Sequence, residues 1–106
     1  MIARVWRGWA ATQEAATLYQ EFLRSTFLPA AHSIGGYCGA DVLRRPVGDE
    51  VEVMTITRFE SLDAIRRFAG EDSEAAHVAP RGRELLTRFD ARCLHYELVV
   101  EDKPRF

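Results

Sequence analysis

The stretch Val51-Glu52-Val53-Met54-Thr55-Ile56-Thr57-Arg58-Phe59-Glu60-Ser61-Leu62-Asp63-Ala64-Ile65 changes its periodicity part-way along. From Val51 to Phe59 the residues Val51, Val53, Thr55, Thr57 and Phe59 alternate with Glu52, Met54, Ile56 and Arg58. That is the period of two that a strand projects onto opposite faces. After Ser61 the apolar residues recur three and four positions apart, at Leu62, Ile65, Phe68 and Ala69, which is helical spacing. Ser61 offers a hydroxyl to cap that helix, Asp63 supplies an acid to its first turn, and Gly70 supplies a stop. A strand is therefore expected to run directly into a helix.

On the N-terminal side, Tyr37 to Arg45 reads as a second strand, joined to the first by the hairpin connection Pro46-Val47-Gly48-Asp49-Glu50. Before it, Thr12 can cap a helix whose apolar stripe is Ala15, Leu18, Tyr19, Phe22 and Leu23. Pro29 is expected to end or kink this helix, and Gly35-Gly36 to turn the chain into the next strand. Residues 2 to 9, rich in β-branched and aromatic types, make a leading strand.

On the C-terminal side come an irregular stretch from Glu71 to Pro80, a short helix around Arg83 to Thr87, and a long final strand near Phe89 to Val100. The order is β-α-β-β-α-β, the split βαβ or ferredoxin-like motif of the α+β class, with an antiparallel sheet and both crossover helices on one face. One domain over 1–100 and a charged tail over 101–106 account for the chain.

Composition agrees with one globular core and narrows the partners. The 106 residues are 47% hydrophobic and 28% charged, with a net charge of −2 and acids interspersed among the bases. The arginine pairs Arg44-Arg45, Arg66-Arg67 and Arg81/Arg83 each lie near acids, so no basic stripe for nucleic acid is expected. No apolar run approaches the roughly 20 residues that span a bilayer, so no membrane partner is expected either. Met1 to Trp9 does not read as a secretion signal, and the expected compartment is the cytoplasm. Cys38 and Cys93 have no CxxC spacing and read as packing thiols.

The strands carry apolar side chains on both faces. Phe89, Ala91, Cys93 and Val99 alternate with Leu94, Tyr96, Leu98 and Val100, and Trp6 opposes Val5 and Trp9 on the first strand. One face is covered by the helices; the other needs a second apolar layer, which a homodimer supplies.

Several segments resemble the antibiotic biosynthesis monooxygenase family of the dimeric α/β-barrel superfamily. They are Ile34-Gly35-Gly36-Tyr37, the run from Glu52 to Ala64 quoted above, and Ala75-Ala76-His77, and the likeness extends over nearly the whole chain. It implies two sheets facing one another in a dimeric barrel, with a small-molecule pocket between sheet and helices in each subunit. Members of that family include cofactor-independent oxygenases of polycyclic aromatic substrates and haem-degrading enzymes. This chain has Phe59 where many relatives carry tryptophan. The asparagine, tryptophan and histidine of the haem-degrading members fall here near Trp6 or Arg7, Phe68 and His77.

Among residues able to carry chemistry, His77 lies in the irregular segment where a lid would form, and an imidazole there can take a phenolic proton or ligate iron. Arg58 interrupts a strand face otherwise made of Met54 and Ile56, and a guanidinium there would hold an enolate or carboxylate, or a salt bridge at the sheet edge. Trp6, Phe59 and Phe68 are expected to line a site for a flat ligand, with His95 on the strand face shared by Cys93 and Glu97, as part of a relay or an interface. His32 reads as a helix-end residue. No HxH, HExxH, GxGxxG, P-loop or GxSxG spacing occurs, so neither a metal nor a nucleotide cofactor is expected. The expected function is a cofactor-independent monooxygenase acting on a small aromatic or polyketide-like molecule. The alternative is a non-catalytic dimer of the same fold that binds a small hydrophobic molecule or haem.

Overall fold

The computed structural model describes residues 1–105; Phe106, the last residue of the expected tail, lies outside the described residues. The first strand, β1 (Ile2–Ala10), is followed by α1 (Gln13–Phe22), a wider turn over Leu23–Phe27 and a short α2 (Leu28–Ala31). Then come β2 (Tyr37–Val47), β3 (Glu50–Phe59), α3 (Leu62–Ala69), α4 (Pro80–Leu85), β4 (Arg88–Phe89) and β5 (Leu94–Glu97).

The five strands form one antiparallel sheet in the order β2-β3-β1-β4, with β5 also pairing β1. The helices cover one face. Pairing of Ile2 with Phe59, Arg4 with Thr57, Trp6 with Thr55 and Gly8 with Val53 puts these residues on the covered side. Their burial follows: Phe59, Val53 and Thr57 are buried under Ala16, Tyr19, Leu23, Ala64 and Ile65 from the helices. A fully buried Phe59 or Ile65 contributes roughly 1.5–3 kcal/mol.

The expected caps form. Thr12 Oγ1 accepts from Ala15 N at 3.0 Å and Ser61 Oγ from Ala64 N at 3.1 Å, each satisfying an amide that the helix itself leaves free. Gly70 ends α3 at φ +90°. Gly36 also has φ +90°, and a Cβ there would stand 2.6 Å from the Ala64 side chain, so the entry to β2 packs directly on α3.

Elsewhere the structure corrects the reading. Pro29 does not end the first helix; the chain widens ahead of it, with Leu28 N–H donating to Leu23 O five residues back, and continues as α2. Opening the turn relieves the clash a proline ring makes with the preceding turn. Leu18 is 43% exposed whereas Ala16 is fully buried, because α1 approaches the sheet through its small residue. The β2–β3 hairpin is tighter than expected, with Val47 pairing Glu50 around Gly48 at φ +58°. The last helix begins at Pro80, a residue suited to a first helical turn because no bond from its nitrogen is needed.

The long final strand is interrupted. Gly8 faces Phe89 and Val5 faces Leu94, so Trp6 and Arg7 stand opposite the longer run Asp90-Ala91-Arg92-Cys93. The bulge is secured from β1: Trp6 Nε1 donates to Asp90 O at 2.6 Å, Arg7 Nε to Asp90 Oδ2 at 3.0 Å, and Asp90 N to Arg7 O at 3.0 Å. Its outer edge then pairs with the irregular segment. Ala76 N donates to Ala91 O at 3.0 Å, Cys93 N to Glu74 O at 2.6 Å, and Arg92 grips Asp72 through both Nη atoms at 2.8 and 3.1 Å. The interruption in the sheet is what ties residues 72–76 down beside it.

Candidate functional site

A cavity of about 170 Å³ lies between the sheet and the helices. Its floor is the covered face of β1 and β3: Arg4, Trp6, Thr55 and Thr57. One wall comes from α1 and its wide turn through Tyr19, Phe22, Leu23 and Phe27, and another from α3 through Phe68 and Ala69. Ala76, His77, Val78 and Ala79, with Gly82 of α4, close it, and Cys93 reaches it from the bulge. The wide turn thus lies on the cavity wall, and Phe27 meets Phe68 edge-on with ring centroids 5.7 Å apart.

Of the expected site residues, the fold brings His77, Trp6 and Phe68 to this cavity. His77 stands exposed at its edge, whereas Trp6 and Phe68 are half-buried in its lining. Phe59 does not reach the cavity. It is fully buried behind Phe68, with ring centroids 5.4 Å apart, and supports that wall from the core. His95 also lies outside: its register partner is Arg4, but its ring borders a shallow surface depression with Met1, Ile2, Tyr96 and Glu97. Burial, with Arg4 nearby, holds the His95 imidazole below its ordinary value, and its Nε2 has no partner.

Arg58 takes the salt-bridge alternative and does not reach the cavity. As the neighbour of Thr57 on β3 it points to the opposite face of the sheet, where its Nη1 donates to Asp41 Oδ2 at 2.7 Å. Strand alternation keeps Arg58 on the face of Met54 and Ile56, as expected, and that face is the one turned away from the cavity. The same alternation identifies the cation that does enter the cavity, Arg4, two positions before Trp6 on β1.

Arg4 is 8% exposed. Its Nη2 donates to Ala75 O at 3.1 Å and Ser73 O at 3.4 Å, and its guanidinium carbon lies 5.6 Å from the Phe68 ring centroid. Burial lowers its affinity for the proton and the adjacent Cys93 opposes that shift. Burial also pushes up the Cys93 thiol and the Tyr19 phenol, so both line the cavity in their neutral forms.

On the sheet's other face, Leu43, Leu94 and Tyr96 are 50%, 56% and 55% exposed. Val5 and Ile56 lie among them by register. Trp9, on the same side of β1 as Val5, is only 6% exposed, because Arg88 stacks on its ring at 4.0 Å and is itself held by Glu50.

About 150 Å³ suffices for one benzene ring, so the cavity is too small to enclose a porphyrin, which would fit here only by projecting through the open side. Among the described residues, no group of three or more His, Cys, Asp or Glu is placed to hold a metal ion, and no helix is long and apolar enough to cross a membrane.

No family model matches the sequence, and no curated protein matches it. Solved structures do. A haem-degrader from Mycobacterium tuberculosis, MhuD, with two haems bound in its active site, is 21% identical, with a TM-score of 0.63 over 97% of this chain and 100% of that one. A monooxygenase of Streptomyces coelicolor in complex with nanaomycin D is 15% identical, with a TM-score of 0.63 over 98% of this chain and 92% of that one. A Bacillus cereus protein described as a candidate antibiotic biosynthesis monooxygenase is 14% identical, with a TM-score of 0.64 over 100% and 98%. The chain has the ferredoxin-like α+β fold of the antibiotic biosynthesis monooxygenase-like proteins.

Proposed function

We propose that the protein is a cofactor-independent monooxygenase of small aromatic or polyketide-like molecules, working as a homodimer in the reducing cytoplasm. The observation that carries this reading is the partly open, aromatic-walled cavity with one imidazole, His77, at its edge. A flat substrate lies between Trp6 and Phe68, and His77 takes a proton from its hydroxyl or activated carbon. The electron-rich anion then reduces dioxygen directly. One oxygen atom enters the ring and the other leaves as water, so the substrate supplies the electrons. Residues 76–79 cover part of the cavity and limit the water that reaches the anion.

The solved monooxygenase with nanaomycin D bound shares this fold and supports the choice of a ring-containing substrate. The homodimer is supported by the open apolar stripe of Leu43, Leu94 and Tyr96, which a second sheet would cover. Oxygen uptake with a panel of one- to three-ring phenols tests the reaction. We expect turnover on at least one phenol, lost in His77→Ala while the ligand still binds. Turnover that survives the substitution removes His77 as the base, and no uptake on any phenol removes the oxygenase.

The second reading, a binding protein without turnover, is favoured by the exposure of His77 and by the haem bound to a protein of like fold. Titration with haemin on the same sample separates it. A saturable Soret shift abolished by His77→Ala would require residues 71–79 to swing outward and would replace the first reading.

A further inference from the structure

The cavity floor holds a charge for which the chain provides no counter-ion. Arg4 is 8% exposed, and among the described residues no carboxylate lies within ion-pair distance of it. A guanidinium keeps its proton under ordinary conditions, so the burial is of a cation. Burying an unpaired ion costs several kcal/mol. Two backbone carbonyls, the adjacent Cys93 thiol and the face of Phe68 offset only part of that, and both carbonyl bonds use the same Nη2.

Two buried polar atoms on this floor have no partner: Arg4 Nε and Thr55 Oγ1. Both residues line the cavity. Arg4 pairs Thr57 across the β1–β3 ladder, and Thr55 is the next residue of β3 on the same face, so the two residues are diagonal neighbours. The orphaned atoms themselves are covered, and a ligand oxygen meets them once the two side chains turn toward the cavity that both line. Thr55 is 6% exposed, and bulk solvent does not serve either group. A native interior rarely leaves such atoms unsatisfied unless something else occupies the site.

We propose that Arg4 and Thr55 form an oxyanion subsite on the cavity floor, which selects one- or two-ring aromatic molecules bearing a carboxylate or phenolate oxygen. The apolar walls take the ring, the guanidinium balances the charge, and the threonine hydroxyl donates a second hydrogen bond to the same oxygen. The room, about 170 Å³, suits a small flat molecule rather than a large polycycle. The inference rests on this cavity being the ligand site, as proposed above, but not on turnover.

Binding read from quenching of tryptophan fluorescence, in a Trp9→Phe background so that Trp6 of the cavity wall is the emitter, tests it with matched pairs: naphthoate against naphthamide, and nitrophenolate against nitroanisole. We expect the Trp9→Phe protein to prefer an anion over its neutral partner by about tenfold or more. Arg4→Met should abolish the preference while the neutral partner still binds, and Thr55→Val should reduce it to a smaller extent. Preference in the naphthoate pair alone identifies a carboxylate ligand, and in the nitrophenolate pair alone a phenolate. Equal affinity within both pairs for the Trp9→Phe protein overturns the subsite without a further variant, and leaves an ordered water as the partner of the two orphaned atoms. A preference that persists in both variants also overturns it. If none of the four compounds binds, the cavity reading itself falls. Anion preference without oxygen uptake on any phenol leaves the subsite standing and removes only the oxygenase.

Discussion

Arg4 Nη2 donates to the carbonyl oxygen of Ala75 at 3.1 Å, joining the first strand to the segment that closes the cavity across 71 positions of sequence. Arg4→Met should therefore loosen that segment locally. Amide hydrogen exchange at Ala76 and Cys93, whose N–H groups bond Ala91 O and Glu74 O, is expected to accelerate about tenfold, with the β1–β3 ladder unchanged. Unaltered protection at both amides would mean that the bulge alone holds the segment.

Gly36→Ala combines a left-handed backbone with a collision. At φ +90° a side chain is strained, and its Cβ would stand 2.6 Å from Ala64 Cβ, which belongs to a packed helix and cannot rotate away. We expect a loss of about 2 kcal/mol or more in urea unfolding. The same substitution at Gly48, where a Cβ meets nothing within 4 Å, should cost less despite its φ of +58°.

Trp6→Phe keeps an aromatic wall but removes the donor to Asp90 O at the interrupted strand. A loss of about 1–2 kcal/mol is expected from the unsatisfied carbonyl and the reduced ring area. The accompanying sign is faster exchange at the Asp90 amide, which bonds Arg7 O. Loss of stability without that change would point to cavity packing alone.

Stability should fall on mild acidification through His95. Burial and then Arg4 hold its folded-state value down, with Glu74 opposing. The unfolded chain therefore takes the proton first, at the ordinary value of about 6.5. The contribution is complete above that pH and is lost progressively between it and the lower folded value. Urea midpoints measured across this range should decline in the wild-type protein and decline less in His95→Gln; parallel curves would exclude His95 as the source.

The open face makes a prediction about mass in solution. Leu43 and Leu94 are 50% and 56% exposed on the single chain, so a carboxylate at either position disturbs little within it. Leu43→Asp with Leu94→Asp should convert a species of twice the 12.0 kDa chain mass to one of that mass without unfolding it. A wild-type protein already at the single-chain mass would remove the homodimer from the proposal.

The β-α-β-β-α-β order and both side-chain caps were legible because each depends on residues near one another in the chain. Thr12 and Ala15, or Ser61 and Ala64, lie within one helical turn, and the alternation from Val51 to Phe59 needs no distant partner. The interrupted final strand was not legible. Phe89 to Val100 alternates well enough for an unbroken strand, and the break appears only when Asp90 meets Trp6 and Arg7 while Ala91 and Cys93 meet residues 74–76. None of those pairings leaves a local pattern.

Arg58 and Arg4 show where the boundary falls for the site. By itself the sequence determined that each arginine lies on a strand and which neighbours share its face, because side chains alternate strictly along an extended backbone. Only the tertiary structure decided which face the helices cover, since β1 and β3 carry apolar residues on both. Packing of Ala16, Tyr19, Ala64 and Ile65 against the face of Thr57 and Phe59 put Arg4 inside with the cavity and left Arg58 outside with Asp41.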